Sequence, residues 1–372
     1  MSFSVHFCTK TLMKLNKILV IIQRSNGDVF LSASLVKILY EYYDSPNIDL
    51  LVNDDTFAIA KLIPFINNIH TFSYEEKKKN RWMQEKKIIS KIFRKYDLSI
   101  NLTASDRSVL YAYIAGKKTI SAVEDNNKKS WWKKYFLSSH YYFDSSKHIL
   151  LNNLESLNLL NISHEKTQEP IKSSSEACTI VDSMLKKNGI NKYIIFHPSA
   201  QYLYKIYPKH LRDKFLFLLN SLDVPILITG TNNQIDLNIK NELPLLPNIY
   251  DFIGETTLEE YIALSKTALA YIGMDTLNMH IAASQSKRIF AIFGPTNLAM
   301  WSPWSNTLKT GSIKNSPLQT YDNVTIFQAS FSCVSCGKAG CNDKHGRSEC
   351  LHVIKPEKIF NEVSYWYKNV GI

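Results

Sequence analysis

Short, unbroken apolar runs recur along this chain, with room for a helix after each one. The first, at 17–22, reads KILVII and ends in a polar Asn26-Gly27 turn. A continuous apolar run of this length is typical of a strand that is buried on both faces of a parallel sheet. Because helix-length segments separate the runs, the sequence predicts an α/β fold in which strands and helices alternate.

Two stretches of the chain carry this alternation, separated by a polar segment at 161–176 that is expected to be a linker or peripheral loop. A chain of 372 residues exceeds the usual size of one hydrophobic core, which also favours two domains. We expect a Rossmann-like domain at 1–170, a second at 171–354 and a C-terminal helix at 355–372. Residues 1–12 are expected to be a loose tail, or a misassigned start with Met13 as the first residue. Strands are predicted at 17–22, 48–52, 98–102, 119–121, 193–196, 224–228, 249–252, 268–272 and 288–293, and helices near 29–43, 55–63 and 356–370.

The chain is basic, with 44 Lys and Arg residues against 33 Asp and Glu residues and a net charge of +11. Such an excess favours anionic partners, among them phosphates, lipid headgroups and nucleic acid. Basic residues cluster at 77–81, at 86–87 and at 128–134, where Trp131 and Trp132 lie between lysines. Two interpretations stay open: a surface that contacts a membrane, or a solvated helical face beside two core tryptophans.

No apolar run approaches the 18 or more residues that a membrane-spanning helix needs. The lysines before the first apolar run superficially resemble a signal peptide, but that run is short and stops at Gln23 and Arg24. We therefore expect a cytoplasmic protein that is not secreted, with peripheral contact at the cytoplasmic face of the inner membrane as one option.

Polar residues with catalytic potential follow the predicted strands. Gly27 and Asp28 come after the first strand, where a carboxylate can accept a proton from a hydroxyl as a general base. The alternative is that Asp28 is a helix N-cap. We take Arg24 and Gly27 as candidates for binding the acceptor of a transferred group.

Three further strand ends suggest an anion-binding site. HPSAQYLYK at 197–205 places Lys205 where it can bind a diphosphate, although a lone lysine is usually a surface residue. At the second strand end, Thr229 and Gly230 either hold part of a nucleotide or simply form a turn. The third comprises GMDTLNMHIAAS at 273–284 and the FGPT turn at 293–296. Asp275 and Thr276 would cap a helix there, with His280 about one turn further along. The candidate donor-binding residues are Lys205, Thr229, Gly230, Asp275, Thr276, His280, Gly294 and Thr296.

These motifs in this order resemble the family 9 glycosyltransferases, which are the ADP-heptose:lipopolysaccharide heptosyltransferases. The resemblance extends over nearly the whole chain after Met13 and depends on KILVI with the Gly27-Asp28 turn, HPSAxxxxK, DTxxxHxAA and FGPT. It implies the GT-B fold, with two Rossmann-like domains facing a central cleft, the acceptor on the N-terminal one and the nucleotide sugar on the C-terminal one. It also implies transfer with inversion and without a metal, which fits the absence of an Asp-x-Asp motif from the sequence.

The resemblance also implies a role for each candidate. Asp28 would deprotonate the acceptor hydroxyl, while Lys205 and the Thr296 turn would stabilise charge on the departing ADP. Asp275 would hold the heptose hydroxyls, with Thr276 and His280 shaping the pocket. The partners would be ADP-heptose and the inner core of lipopolysaccharide, with no cofactor and no nucleic acid. The chain departs from the family in Ser199, where glycine is frequent, and in the bulky Tyr202 and Tyr204 before Lys205.

Four of the six cysteines form a cluster with the spacing C-x2-C-x4-C-x8-C. It contains one CxxC pair, whereas a zinc ribbon has two, so a structural zinc ion, free thiols and partial disulfides all stay open. The segment resembles one in the heptosyltransferase III branch. The cluster follows the nucleotide-binding part of the chain rather than ending a sheet strand, so we expect no catalytic role for it. Cys8 and Cys178 are interpreted as incidental. The cluster comprises Cys333, Cys336, Cys341 and Cys350.

Three other functions compete with heptose transfer. The first is an enzyme of the same fold that transfers a different nucleotide-activated sugar to a surface glycan. The motifs do not distinguish it, because they do not report which hydroxyl groups of the sugar are recognised. A non-catalytic core-assembly protein is disfavoured by intact Asp28, Lys205 and Asp275. A nucleic-acid-binding protein would be expected to carry stacking platforms or a recognition helix, and the sequence indicates neither.

Overall fold

A computed structural model describes residues 15–125 and 131–369, so the predicted tail at 1–12 and Lys128 and Lys129 of the lysine cluster lie outside the described residues. The described chain divides into two compact units. The first unit comprises 15–24, 34–143 and 154–164. The second comprises 25–33, 144–153 and 165–369, so the turn that carries Asp28 belongs to the second unit.

The first unit is built on a six-stranded parallel sheet in the order β3-β2-β1-β4-β5-β6. This is the strand order of the Rossmann fold, in which the direction of winding reverses between β1 and β4. The predicted strand at 17–22 is β1, and the registers pair Ile18 with Ile48 and with Leu98. The strands are β1 Lys17–Ile22, β2 Asn47–Asn53, β3 Ile66–Phe72, β4 Tyr96–Asn101, β5 Gly116–Val123 and β6 Ser139–Tyr142.

The second unit repeats this topology in a seven-stranded sheet of order β12-β13-β11-β10-β7-β8-β9. Its strands are parallel except β12, which pairs antiparallel with β13. The reversal point lies between β7 and β10, whose carboxyl ends carry the HPSA and GMDT motifs. The strands are β7 Ile194–His197, β8 Ile226–Gly230, β9 Ile249–Ile253, β10 Ala270–Met274, β11 Arg288–Ile292, β12 Leu318–Tyr321 and β13 Val324–Phe327.

Helices connect the strands, as parallel pairing requires. The single helix predicted at 29–43 is wrong in one respect, because the chain forms two helices, α1 and α2, separated at Leu31 and Ser32. The helix predicted at 356–370 is confirmed as α15. The helices of the first half are α1 Asn26–Phe30, α2 Ala33–Tyr42, α3 Phe57–Ala60, α4 Tyr74–Ile92, α5 Asp106–Ala115, α6 Lys133–Phe136 and α7 Ile149–Leu159. Those of the second half are α8 Ser175–Lys187, α9 Lys209–Leu219, α10 Gln234–Asn241, α11 Leu258–Thr267, α12 Leu277–Ser284, α13 Leu298–Trp301, α14 Glu349–His352 and α15 Pro356–Asn369.

The polar segment that was expected to be a linker or peripheral loop forms neither helix nor strand at 162–174, but part of it is buried. Gln168 is 2% exposed, and its backbone exchanges hydrogen bonds with the Asn306 side chain. The Trp304 indole N–H donates to the Lys166 carbonyl. From residue 165 onward this segment is therefore a packed part of the second unit.

Within 15–125 and 131–369 no helix is both long enough and apolar enough to cross a membrane.

Candidate active site

A salt bridge lies at the reversal point of the second sheet. Lys205 follows β7 and Asp275 follows β10, and the Lys205 Nζ is 3.0 Å from an Asp275 carboxylate oxygen. The Lys205 side chain keeps 26% of its surface exposed and that of Asp275 keeps 9%. Two residues predicted separately, 70 positions apart, are thus partners at the edge of the sheet where ligands of this fold bind.

The electrostatic surroundings keep Lys205 charged. Burial alone would lower the pKa of its ammonium, but the charge and hydrogen bond of Asp275 outweigh that cost. The pKa of Lys205 is therefore raised above its ordinary value of 10.5. A permanent cation beside a partly open sheet edge can bind a diphosphate.

His280 lies on α12, directly beyond this pair, and is 2% exposed. Burial lowers its pKa to about 4, against an opposing effect of Asp275 and with a small contribution from Lys205. The imidazole is therefore neutral at pH 7. Its backbone carbonyl accepts a hydrogen bond of 2.9 Å from the buried Gln168 side chain, which fixes this turn of the helix.

The Gly27-Asp28 turn packs on the same helix, since α1 contacts α12. A side chain added at Gly27 would lie 3.7 Å from the His280 ring and 3.9 Å from Trp301. Asp28 is 3% exposed, and one of its carboxylate oxygens accepts hydrogen bonds from the Ser25 backbone N–H and hydroxyl. The N-cap of α1 is Ser25, whereas Asp28 is the third helical residue, which closes a capping box. The alternative in which Asp28 itself is the N-cap is therefore wrong in position, although the carboxylate does take part in the cap.

Thr276 is the N-cap of α12, as predicted, but its hydroxyl makes no capping hydrogen bond. It lies 3.4 Å from the Tyr271 hydroxyl instead. Asp275 does not cap the helix, because its carboxylate is bonded to Lys205.

Thr229 and Gly230 are engaged in contacts within the second unit. Thr229 is 1% exposed, and its hydroxyl is 3.1 Å from the Nδ1 of His197. The Gly230 carbonyl accepts from the Gly254 N–H at 3.0 Å. In this arrangement Thr229 orients His197, whose ring is also 3.1 Å from the Asn278 amide nitrogen.

The FGPT turn follows β11, the strand next to β10, and its Thr296 is 8% exposed. A side chain at Gly294 would lie 3.0 Å from Leu351, so glycine allows α14 to approach the turn closely. The Pro295 carbonyl accepts a hydrogen bond of 2.7 Å from Gly337, a residue within the cysteine segment.

The cysteine segment therefore packs against the FGPT turn. It follows β13, a sheet strand that was not predicted, and five residues separate the end of that strand from Cys333. All four cysteines, together with Pro295, line one cavity of about 30 Å³. Their thiols are free, and Cys350 is the buried one. No group of three or more His, Cys, Asp or Glu side chains in the described parts of the chain is arranged to hold a metal ion, and the structural zinc stays a prediction.

Arg24, the remaining candidate, lies in the first unit, with its guanidinium 4.7 Å from the centre of the Phe143 ring.

The structure also adds residues that the sequence analysis did not select. His148 is 3% exposed, its Nε2 is 2.9 Å from the Ser302 carbonyl, and its ring lies 4.9 Å from Trp304. Burial, with the neighbouring His280, lowers its pKa to about 3. Together with Gln168 it supports α12 and the segment after the FGPT turn. No motif marks either residue, because both lie far along the chain from what they contact.

Comparison with known proteins identifies the architecture. Residues 86–329 match the model of glycosyltransferase family 9 (heptosyltransferase). Lipopolysaccharide heptosyltransferase 3 of Escherichia coli is 24% identical over 292 residues, which cover 77% of this chain and 85% of the relative. A family 9 glycosyltransferase of Veillonella parvula superposes with a TM-score of 0.69 at 16% identity, covering 93% of this chain and 95% of that one.

The Escherichia coli ADP-heptose lipopolysaccharide heptosyltransferase II structure superposes with a TM-score of 0.68 at 17% identity, covering 94% of this chain and 98% of that one. These superpositions confirm the predicted GT-B fold. Because the family match spans well over half of the sequence and includes the Lys205, Asp275 and FGPT segments, the chain belongs to glycosyltransferase family 9, the heptosyltransferases.

Proposed function

We propose that this enzyme transfers heptose from ADP-heptose to the inner core of lipopolysaccharide or lipooligosaccharide, with inversion at the anomeric carbon and without a metal. One observation carries the proposal. The Lys205–Asp275 pair lies next to helix α12, and the turn with Asp28 packs on that same helix. The similarity to lipopolysaccharide heptosyltransferase 3 supports the choice of donor and acceptor.

Asp28 is the proposed general base. Its carboxylate takes the proton of an acceptor hydroxyl, and that oxygen attacks the anomeric carbon of the bound heptose. The new C–O bond forms as the bond to the β-phosphate oxygen of ADP breaks, and ADP departs with the bonding electrons. One displacement inverts the anomeric centre, and no covalent enzyme intermediate is formed.

Lys205 is proposed to compensate the charge that grows on the departing ADP, assisted by the Thr296 hydroxyl and the backbone of the FGPT turn. Its ammonium is bonded to Asp275 at 3.0 Å, so binding of the donor would exchange or share that partner. Asp275 would then be placed to accept hydrogen bonds from the heptose hydroxyls. In this scheme the protein's own cation does the work that a divalent ion does in metal-dependent transferases.

The remaining candidates have supporting roles in the proposal. Thr276 and His280 shape the donor pocket, with His280 neutral because burial lowers its pKa to about 4. Thr229 and Gly230 contribute indirectly: Thr229 positions the His197 ring, and Gly230 forms the turn at the end of β8. We propose that the first unit contributes acceptor contacts, including Arg24, and that the second unit binds the nucleotide sugar. The reaction would take place in the cytoplasm, at the inner membrane that holds the lipid acceptor.

The test is release of ADP by purified protein that is given ADP-heptose and heptose-containing core lipopolysaccharide, with EDTA present throughout. Asp28→Asn should abolish turnover while leaving ADP affinity within about twofold, because the base acts on the acceptor. Asp223→Asn, at an exposed carboxylate of the same unit, is the matched control and should retain activity. The anomeric configuration of the product, read by NMR, reports inversion.

Full activity of Asp28→Asn would remove Asp28 as the base. Turnover that is lost in EDTA and restored by a divalent ion would contradict the metal-free part of the proposal. Turnover with a different nucleotide sugar, and none with ADP-heptose, would leave the family assignment intact but replace the donor.

A further inference from the structure

The helix α4 of the first unit exposes large apolar side chains among lysines. It contains seven Lys or Arg residues against three Glu residues. Trp82 is 82% exposed, Met83 is 66% exposed, and Phe93, directly after the helix, is 57% exposed. Single exposed apolar residues are common, but a monomeric soluble protein seldom groups several large ones in one patch unless that surface has a partner.

The way in which α4 packs on the unit determines which of its side chains are exposed. The helix is interrupted at Asn80, whose side chain accepts a hydrogen bond from the Met83 N–H and so starts a second helical segment. In that segment Gln84 and Ile88 are buried against the unit, which turns Trp82 outward. A groove of about 550 Å³ runs along this outer face, lined by Trp82, Glu85, Lys86, Ile89, Ser90 and Phe93.

At the short helix α6 a lysine is buried while the aromatic side chains beside it are exposed. Lys133 is 1% exposed, and its ammonium binds the Asp106 carboxylate at 2.8 Å and the Ala104 carbonyl at 2.6 Å. Trp131 is 64% exposed and Tyr135 is 78% exposed. The interpretation of this segment as a solvated face beside core tryptophans is therefore wrong for Trp131, because the lysine is the buried anchor and the indole is outside.

The helix α5 joins the two exposed regions, since it contacts both α4 and α6. Leu110 of α5 is 47% exposed, and Tyr113 packs edge to face on Phe136 at 5.2 Å. We call these side chains together the interfacial surface. It comprises Trp82, Met83, Phe93, Leu110, Trp131, Tyr135 and Phe136, with the lysines and arginine of α4 around them.

We propose that the interfacial surface docks the enzyme on a lipid bilayer that contains anionic headgroups. Indole and phenol rings favour the boundary between headgroups and acyl chains, where an apolar body and a polar edge are both satisfied. Lysines at the same depth are attracted to anionic lipid. Met83, Phe93 and Leu110 have no group that a nucleic acid backbone would recognise, whereas acyl chains accommodate them. The charge excess of the whole chain acts in the same direction.

The experiment measures co-sedimentation of the full chain with vesicles of phosphatidylethanolamine and phosphatidylglycerol, and with vesicles of phosphatidylcholine alone. We expect binding to the anionic vesicles to be at least about tenfold stronger, and to weaken as salt is raised. The triple variant Trp82→Ser/Trp131→Ser/Tyr135→Ser should lose at least about tenfold in binding to anionic vesicles. Its matched control is Phe217→Ser/Tyr365→Ser in the second unit, at side chains that are 59% and 72% exposed, and this control should bind as the unchanged protein does.

A second pair of variants tests the charge. Lys78→Glu/Lys79→Glu on α4 should weaken binding to anionic vesicles, and Lys186→Glu/Lys187→Glu at the exposed end of α8 should not. The unchanged protein and all variants are also assayed for transfer to a water-soluble, deacylated core oligosaccharide, where the interfacial variants should retain the activity of the unchanged protein. This separates loss of docking from failure of the proposed reaction.

Three results would overturn the proposal. The first is no binding to anionic vesicles that lack lipopolysaccharide. The second is equal loss of binding in the surface variants and their controls. The third is preferential binding of a single-stranded oligonucleotide, competing with vesicles at the same side chains, which would assign the surface to nucleic acid.

Discussion

At the scale of single residues, the second unit keeps a cation and an anion in contact where a charged ligand is expected. Lys205 and Asp275 are partners at 3.0 Å, and the carboxylate more than offsets the effect of burial on the lysine pKa. Removing one member would leave the other partly buried without its partner. If the pair holds the diphosphate and sugar as proposed, both members are needed, because either one alone would be left partly buried and unpaired.

We expect Lys205→Met to reduce kcat/KM by about 100-fold or more and to weaken ADP binding, because a charge that stabilises the leaving group is lost. Lys209→Met is the control, since Lys209 is a more exposed lysine four residues away that pairs with Asp213. Steady-state kinetics and ADP titration calorimetry provide the two measurements. ADP affinity that is unchanged in Lys205→Met would show that this lysine does not bind the diphosphate.

The sequence could identify Lys205 and Asp275 as candidates because each follows a recognisable strand. It could not show that they are bonded to one another, since that depends on β7 and β10 being neighbours. Gln168 and His148 could not be found at all. Gln168 holds the carbonyl of a residue 112 positions away, and no local pattern encodes such a contact.

At the scale of secondary structure elements, Gly273 in β10 controls how closely the central strands of the second sheet pack. An added side chain would lie 2.6 Å from the His197 carbonyl and 2.6 Å from the Tyr271 hydroxyl. The carbonyl belongs to the neighbouring strand β7, so it cannot move without disturbing the pairing that positions Lys205 and Asp275.

Gly273→Ala should therefore lower the free energy of unfolding by about 1–3 kcal/mol. Gly27→Ala should cost far less, because its added carbon would be at an ordinary distance of 3.7 Å from the His280 ring. Urea denaturation followed by circular dichroism compares the two variants with the unchanged protein. Equal stability of Gly273→Ala and Gly27→Ala would contradict the close packing at β10.

The cysteine segment is an element whose chemistry can be tested by thiol labelling at pH 8. Burial, with the nearby Cys341 and Cys336, raises the pKa of the Cys350 thiol from 9.0 to about 11. Cys350 should therefore hold roughly one-hundredth of the thiolate of an unperturbed cysteine and react far more slowly than the exposed Cys333. Mass spectrometry after iodoacetamide treatment gives the rate at each site.

The same labelling tests the predicted structural zinc. If the four cysteines bind zinc, one equivalent of the ion should protect Cys333, Cys336 and Cys341 together, because a coordinated thiolate is not free to react. Cys178, on α8, serves as the internal control and should label at the same rate with or without zinc. Protection of Cys178 to the same extent, or protection of none of the four, would count against a zinc site.

Most strands inside the two described sheets were predicted, and so was the edge strand β9, whereas the other three edge strands were not. β1 and β7 read as continuous apolar runs because helices cover both faces of the sheet. β3, β6 and β12 lie at sheet edges and carry polar side chains such as those of INNIHTF, which break the apolar pattern. β13 was missed although it is internal, because Thr325 interrupts the apolar run in VTIF.

At the scale of the whole molecule, the two units share the same order of strands around the reversal points of their sheets. The second unit also buries three neutral histidines. Burial lowers the pKa of His148 to about 3 and of His280 to about 4, and it lowers that of His197 as well. In the unfolded chain each would titrate near the ordinary value of 6.5. Between these values the unfolded chain binds more protons than the folded one, so stability is lost as the pH falls.

We therefore expect the free energy of unfolding to be highest above pH 6.5 and to fall steadily as the pH decreases toward 4, by about 1.4 kcal/mol per histidine for each unit of pH. Urea denaturation at pH 7.5, 6.0, 5.0 and 4.5 measures this dependence. His148→Gln should reduce the slope between pH 6 and 4.5, because one of the three titrating groups is gone while an amide can still donate to the Ser302 carbonyl. Gln201→Ala, at an exposed side chain that does not titrate, is the control and should leave the slope unchanged. Carboxylates also take up protons in this pH range, so the test compares the slope of the variant with that of the unchanged protein. Equal slopes would mean that the buried His148 imidazole does not limit stability in acid.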